Sequence, residues 1–169
     1  KRNEWDVGLI AREPRRAQVI AFCDPYVEIE ATYLVSSHSL CQSIEDVDSL
    51  GIRIAVSERS AYDLYLSRTL KYAKLFRAEG LEGALQLFID KKLDALAGLV
   101  PALKDNIKTL PGARLIPGRY TTVQQAIGTQ KDKLALNTEV QAFVSDAKQN
   151  GFVTKLIKKH GLTGKLQVA

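Results

Sequence analysis

Arginine is the side chain best shaped to grip a carboxylate, because its planar fork offers two parallel donors. Arg16 stands in a knot with Arg12 and Arg15, just ahead of the apolar run Val19-Ile20-Ala21-Phe22. A second candidate is Ser60-Ala61-Tyr62-Asp63, directly after the strand-like Arg53-Ile54-Ala55-Val56. It reads as a helix start with a capping box, Ser60 as cap and Asp63 reaching back. The free N–H groups and dipole of such a start favour an anion. Taken alone, Arg16 reads as a surface arginine and Ser60 as the cap of its own helix. There is no Ser/His/Asp or Cys/His order, no zinc spacing and no phosphate loop. His38 and His160 read as exposed.

The elements that must position these residues fit ordinary globular proportions. The 169 residues are 46% hydrophobic and 25% charged, enough for one large domain or two small lobes. No apolar run approaches the roughly 18 to 20 residues of a membrane span. Lys1 to Asp6 is polar and does not read as a signal peptide. The net charge of +5 is scattered. Its densest knots, Arg12/Arg15/Arg16 and Lys155/Lys158/Lys159, lack interleaved aromatics, which argues for solvated surface and against a nucleic-acid partner. Cys23 and Cys41 fit either a disulfide or two free thiols.

Between Arg53 and Ile116 the chain alternates strand-like and helix-like runs. Arg53 to Val56 is a strand, and Tyr62, Leu66, Leu70 and Ala73 mark an amphipathic helix. Lys74 to Arg77 is a short strand. Leu81 to Lys92 is a helix with Leu81, Leu85 and Phe88 on one stripe. Leu93 to Val100 is a buried strand, and Pro101 suits the first turn of the next helix, which ends before Pro111-Gly112. Arg114 to Ile116 is a last strand. This order predicts an α/β unit with a largely parallel sheet. Ahead of it Trp5 to Ala11 reads as a strand, Pro14 to Gln18 as a helical turn and Pro25 to Val35 as extended. After it Thr121 to Ile127 is extended. Leu134 to Gln149 is a helix with Leu136, Val140, Phe143 and Ala147 on one face, stopped by Gly151. Val153 to His160 is the final helix. Two extended connections around one α/β unit predict an inserted lobe on a two-stranded hinge, with lobe 1 formed by 1–29 and 121–169 and lobe 2 by 30–120.

Several segments in this order resemble one family. Arg16-Ala17-Gln18-Val19-Ile20-Ala21-Phe22-Cys23-Asp24-Pro25-Tyr26 is similar to its arginine, spacer, Phe, Pro-Tyr segment. Ser60-Ala61-Tyr62-Asp63-Leu64 is similar to its second-lobe helix start, and Leu93-Asp94-Ala95 to its strand motif. Leu136-Asn137, Phe143 and Asn150-Gly151-Phe152 are similar to its closing helices. The chain thus resembles extracellular solute-binding proteins of family 3, amino-acid receptors of ABC transporters with the type II periplasmic binding fold, from about Trp5 to Gly161. Family members open with a strand, helix and strand that have no counterpart here, so the resemblance implies an incomplete first lobe.

What the resemblance implies is a ligand cleft between two lobes, no enzyme activity and no cofactor. The implied ligand set is Arg16 for the carboxylate, with Ala11, and on the second lobe Ser60, Ala61, Arg59 and Leu99. Three positions depart from the pattern. Arg59 stands where the family often has glycine, Ala61 where threonine is frequent, and Leu99 at or beside the place of an acid that meets an ammonium group. An amine facing Leu99 would lack its charge partner, costing several kcal/mol in a closed site. The implied ligand is therefore a small organic anion or an amino acid whose amine is met elsewhere. Asp94 matches a structural aspartate. Tyr26 and Tyr120 fall near the hinge, as do Gln124 and Gln125. The implied partner is an ABC transporter permease, with the membrane met only through it, a periplasmic or extracytoplasmic location, and a monomer once the first lobe is complete. A sensor domain of the same fold is one alternative. A cyclohexadienyl dehydratase-like enzyme is another, with Glu28 and Glu30 as its only available acids.

Overall fold

The computed structural model describes residues 5–169. The signal-peptide reading of the first residues rests mostly on 1–4, outside the described residues. In chain order the elements are β1 (Val7–Ala11), α1 (Pro14–Ala17), β2 (Ile20–Phe22), β3 (Val27–Val35), α2 (Ile44–Val47), β4 (Arg53–Ser57), α3 (Ala61–Thr69) and β5 (Lys74–Ala78). They continue with α4 (Gly80–Asp90), β6 (Ala95–Leu99), α5 (Val100–Ile107), β7 (Arg114–Leu115), β8 (Thr121–Gln130), α6 (Leu134–Gln149), α7 (Phe152–Lys159) and β9 (Gln167–Val168). Among the described residues no helix is long and apolar enough to cross a membrane. The chain divides into two compact units, Lys1–Ile29 with Val123–Ala169, and Glu30–Thr122. The divisions fall inside β3 and β8.

The Glu30–Thr122 unit carries the α/β alternation. β4 lies between β5 and β6 and pairs parallel with both, from Arg53↔Lys74 to Ser57↔Ala78 on one side and at Ile54↔Ala95 on the other. The helices α3 and α4 supply the chain needed to cross back between parallel strands. The sheet is less parallel than the alternation predicts, because β3 joins it antiparallel to β6, from Ala31↔Leu99 to Val35↔Ala95, and β7 also runs antiparallel to β3. Leu34, Ala55, Ala84, Leu85, Phe88, Leu93, Leu96 and Leu103 form one core cluster. The buried stripe of α4 is Ala84, Leu85 and Phe88, whereas Leu81 remains exposed at the first turn. α3 stops at Thr69, earlier than its apolar spacing suggests, because Leu70 turns to an extended backbone. The chain after it is tied down by Asp48, whose carboxylate accepts the N–H groups of Lys71, Tyr72 and Ala73.

A short helix missed in the sequence, α2, is capped reciprocally: Ser43 accepts the Asp46 N–H, and Asp46 accepts the Ser43 N–H. Its Asp46 carboxyl is held below the usual range by the N–H groups of Gln42 and Ser43. Asp94 accepts both the N–H and the Nε of Arg53, at 2.8 and 3.0 Å, and so pins the entry of β6 to β4.

In the other unit, β8 pairs antiparallel with β1, Val7↔Thr129 through Ala11↔Gln125, and with β2, Ile20↔Gln130 through Phe22↔Gly128. Within the motif segment the apolar run Ile20–Phe22 forms a strand of its own, β2. Its neighbour Gly128 has no room for a side chain, since a Cβ there would lie 2.4 Å from the Ile20 methyl. α6 docks through Val144 and Ala147, and Asn137 ties it to the sheet by donating to the Ala21 carbonyl and the Thr129 hydroxyl. Phe143, expected on the buried face, is 59% exposed. Gly151, at φ 75°, takes the left-handed conformation that ends α6 and starts α7. Cys23 and Cys41 are buried free thiols, so of the two alternatives the thiols are what the fold contains.

Candidate ligand half-sites

Arg16 lies in the four-residue α1, started by Pro14 and capped by Glu13, whose buried carboxylate accepts the Arg15 N–H at 2.8 Å. Arg16 is half-buried and its Nη1 donates to the Ala11 carbonyl at 2.9 Å. That bond ties the end of β1 to α1 and orients the guanidinium. Partial burial pulls the Arg16 pKa down and the charge of Glu13 pushes it back up; an arginine stays charged throughout. The fork is therefore anchored rather than loose on the surface, with one arm on Ala11, whose side chain is buried.

In the second unit the end of β4 leads into α3 through Glu58, Arg59 and Ser60. The Ser60 hydroxyl accepts the Asp63 N–H at 3.0 Å, as a cap should. The reciprocal half of the expected capping box is displaced by one residue, for the Asp63 carboxylate accepts the N–H of Arg59, not of Ser60, at 2.9 Å. The reason is in the backbone. Arg59 is at φ 60°, a left-handed conformation rare for a side chain other than glycine, and this turns its N–H toward Asp63. Asp63 is buried and also meets Arg77 Nε at 3.0 Å and the Ser67 hydroxyl at 3.3 Å. The Ser60 N–H donates to the Ser57 carbonyl at 3.3 Å. The first-turn N–H groups left without an intrahelical partner are those of Ala61 and Tyr62. The N–H groups of this turn without an intrahelical partner thus lie one residue along from the Ser60–Ala61 pair expected, on Ala61 and Tyr62.

Leu99 is partly buried at the N-terminus of α5, which has no side-chain cap. Gly98 before it packs against Leu103, where a Cβ would come within 2.9 Å of a methyl. The surroundings of Leu99 in chain order, Gly98, Val100 and Pro101, offer no charge.

The sequence missed a tyrosine cluster in this unit. Tyr33 and Tyr120 have ring centroids 4.5 Å apart, and Tyr65 lies 6.1 Å from Tyr120 at an interplanar angle of 22°. Burial pushes the hydroxyls of Tyr33, Tyr62 and Tyr120 up from their ordinary range; for Tyr62, hydrogen bonds with Ser60 and Ser57 oppose that rise. The cluster packs beside the α3 turn and links Tyr120 to it. Glu28 accepts from Gln124 Nε2 at 2.7 Å, and Glu30 is paired with Arg119 at 2.8 Å. Among the described residues no group of three His, Cys, Asp or Glu side chains is placed to hold a metal ion.

No family model matches this sequence, and no curated protein matches it. Solved structures do. A mutant of ArgBP from T. maritima matches with a TM-score of 0.75 and 21% identity over 93% of this chain and 69% of that one. The periplasmic-binding-protein fold is the fold of this chain. The cysteine-binding protein from Campylobacter jejuni matches with a TM-score of 0.76 and 20% identity, over 93% of this chain and 64% of that one. An ancestral amino acid-binding protein, a precursor of cyclohexadienyl dehydratase, matches with a TM-score of 0.75 and 21% identity over 93% and 68%. The chain spans 63 to 70% of the length of such structures, a share that fits a first lobe carried in part by these residues.

Proposed function

We propose that the chain is the ligand-binding part of an extracytoplasmic solute receptor that serves an ABC transporter permease and takes a small carboxylate or amino-acid-like ligand. The observation that carries this is the fold match over more than nine-tenths of the chain to proteins that bind amino acids. In this reading Arg16, held by the Ala11 carbonyl, presents its fork to the ligand carboxylate. The start of α3, with the N–H groups of Ala61 and Tyr62 behind Ser60 and Arg59, supplies a second anion-favouring half-site. Leu99 offers an apolar wall where an ammonium group would need an acid, which favours ligands without an α-amine. A binding role is the reading preferred over catalysis, and it is supported by the hydrogen bonds that Glu28 and Glu30, the acids a dehydratase reading requires, make with Gln124 and Arg119. A transport receptor is preferred to a sensor domain of the same fold, since the solved structures that share this fold include substrate-binding proteins of amino-acid ABC transporters.

The test is a thermal-shift panel pairing amino acids with matched carboxylates that lack the amine. Binding to the native state alone raises Tm. Amine-free carboxylates are expected to raise it, and Arg16→Ala to abolish the rise. A rise that survives Arg16→Ala removes Arg16 from the site, and a rise with amino acids alone overturns the reading of Leu99.

A further inference from the structure

One end of the Glu30–Thr122 sheet carries side chains that neither the core nor the half-sites use. β4, β5 and β6 run parallel, so their N-terminal ends lie together. The α3 turn follows the C-terminal end of β4 and is therefore at the opposite end. Three loops, 48–52, 70–73 and 91–94, lead into these strands. The Lys74 N–H donates to the Ile52 carbonyl and the Asp94 N–H to the Arg53 carbonyl, both at 2.9 Å. Arg53 Nη2 donates to the Lys92 carbonyl at 2.6 Å. Asp48 holds Lys71, Tyr72 and Ala73 against the first loop. The three loops thus form one surface, in the α/β unit and not in the lobe that the resemblance reads as incomplete.

Basic groups dominate what this surface has to offer. Arg53, Lys71, Lys74, Lys91 and Lys92 stand with three acids, Asp48, Asp90 and Asp94. Each acid is engaged: Asp48 by three backbone N–H groups, Asp94 by Arg53, and Asp90 by Gln86 Nε2 at 2.7 Å. The four lysines are exposed. Lys71 lies in the field of Asp48, while Lys74, Lys91 and Lys92 make no ion pair among the described residues. Two apolar side chains stand among them, Leu50 at 83% and Tyr72 at 55% exposure. Leu50 is at the tip of a turn closed from the Ile52 N–H to the Ser49 carbonyl at 3.2 Å, with Gly51 at φ 87°. Such a turn requires the glycine at its third position but nothing apolar at its second.

We propose that this end of the unit is a contact surface for an anionic lipid bilayer, with the lysines over the headgroup phosphates and Leu50 and Tyr72 entering the interface. The surface potential of anionic lipid attracts clustered lysines. The headgroup region also accommodates aromatic and apolar side chains flanked by lysine, as in Leu70-Lys71-Tyr72-Ala73-Lys74. A soluble polyanion would satisfy the lysines equally but would leave Leu50 in water, so the bilayer is the occupant that accounts for both. With four lysines, two apolar side chains and no acyl chain in the contact, binding is weak and salt-sensitive. This contact is direct, in addition to any made through a permease. It is separate from the ligand half-sites and stands whether or not the receptor reading does.

The test is co-sedimentation of the 169-residue chain with vesicles of phosphatidylglycerol and phosphatidylcholine in equal parts, and with phosphatidylcholine alone. The chain should sediment with the first only and be released as NaCl rises from about 0.05 to about 0.5 M. Lys71→Gln with Lys74→Gln should weaken binding about 25-fold, at about fivefold per lysine. Leu50→Ser should weaken it about tenfold and leave retention on dextran sulfate unchanged. Lys155→Gln with Lys158→Gln, in the other basic knot, should leave vesicle binding as it was. Circular dichroism melts establish that each variant is folded. Failure to sediment with the anionic vesicles at low salt overturns the proposal. So does binding that survives the Lys71 and Lys74 substitutions, or that the Lys155 and Lys158 substitutions reduce as much. Vesicle binding unchanged in Leu50→Ser would mark a surface for soluble polyanions and overturn the bilayer as its occupant.

Discussion

Replacing Asp63 with alanine tests the account of the α3 turn. The Asp63 carboxylate is buried and accepts the Arg59 N–H at 2.9 Å, a charge-assisted bond with a contribution of about 1.5–3 kcal/mol. It also pairs with Arg77, but that side chain is 41% exposed, and solvent screening limits the pair to about 1 kcal/mol or less. The Ser67 hydroxyl adds little, because its shorter bond, 2.7 Å, goes to the Asp63 carbonyl and survives the substitution. Asp63→Ala should therefore cost about 3 kcal/mol in urea unfolding, which for a chain of this length lowers Tm by roughly 6–12 °C. Arg77→Ala should cost about 1 kcal/mol or less, and the double variant should fall short of additivity by no more than that. Circular dichroism melts of the three variants measure all of this. If Arg77→Ala were as damaging as Asp63→Ala, the ion pair and not the backbone acceptor would hold the turn, and the explanation of the Arg59 conformation would fall with it.

Further outcomes follow from the same structure. Arg59→Gly should stabilise the protein by up to about 1 kcal/mol in urea titration, since a side chain at φ 60° carries a left-handed penalty that glycine does not; a loss of stability would show the arginine side chain holding the turn. Gly128→Ala should cost about 1–3 kcal/mol by overpacking, because the new Cβ would lie 2.4 Å from Ile20; chemical shifts confined to β2 and β8 check the location. Raising the pH should unfold the protein from above about 10, the ordinary tyrosine value. Burial raises Tyr33, Tyr62 and Tyr120 in the folded state, so their contribution is complete below that pH. It is lost above it at up to about 1.4 kcal/mol per pH unit for each hydroxyl kept neutral. The part of the tyrosinate absorbance at 295 nm that comes from these three hydroxyls should appear together with the loss of circular dichroism; ionisation of all six tyrosines ahead of unfolding would contradict the burial. In acid the sign reverses for Asp48. Burial would raise its carboxyl, but the N–H groups of Ala73, Tyr72 and Lys71 outweigh that and hold it below its usual value. Its contribution is present above about pH 4 and lost as pH falls, and Asp48→Asn should flatten the acid limb of the stability curve.

The amino-acid sequence determined what depends on neighbours along the chain. The α/β alternation from Arg53 to Leu115, the cap at Ser60, the proline in the first turn of α5 and the glycine stop at Gly151 all rest on local periodicity, side-chain-to-backbone reach or permitted φ, and each is present. The order of motifs also led to the fold that the solved structures share. Tertiary structure decided what depends on distant partners. That β3 runs antiparallel to β6 is a choice of strand neighbour which no local pattern encodes. The 3.6-residue spacing of α6 placed Phe143 on the apolar face, but the helix settled on Val144 and Ala147, since the spacing defines a stripe and packing selects which edge of it is covered. The Ser60 motif promised a bond from Ser60 to Asp63; a left-handed Arg59 gave that acceptor to another N–H. Arg16 could be read as a carboxylate fork, yet only the folded chain showed one arm already on the Ala11 carbonyl. A side chain's type fixes what it can bind, while the groups competing for it arrive only when the chain has folded.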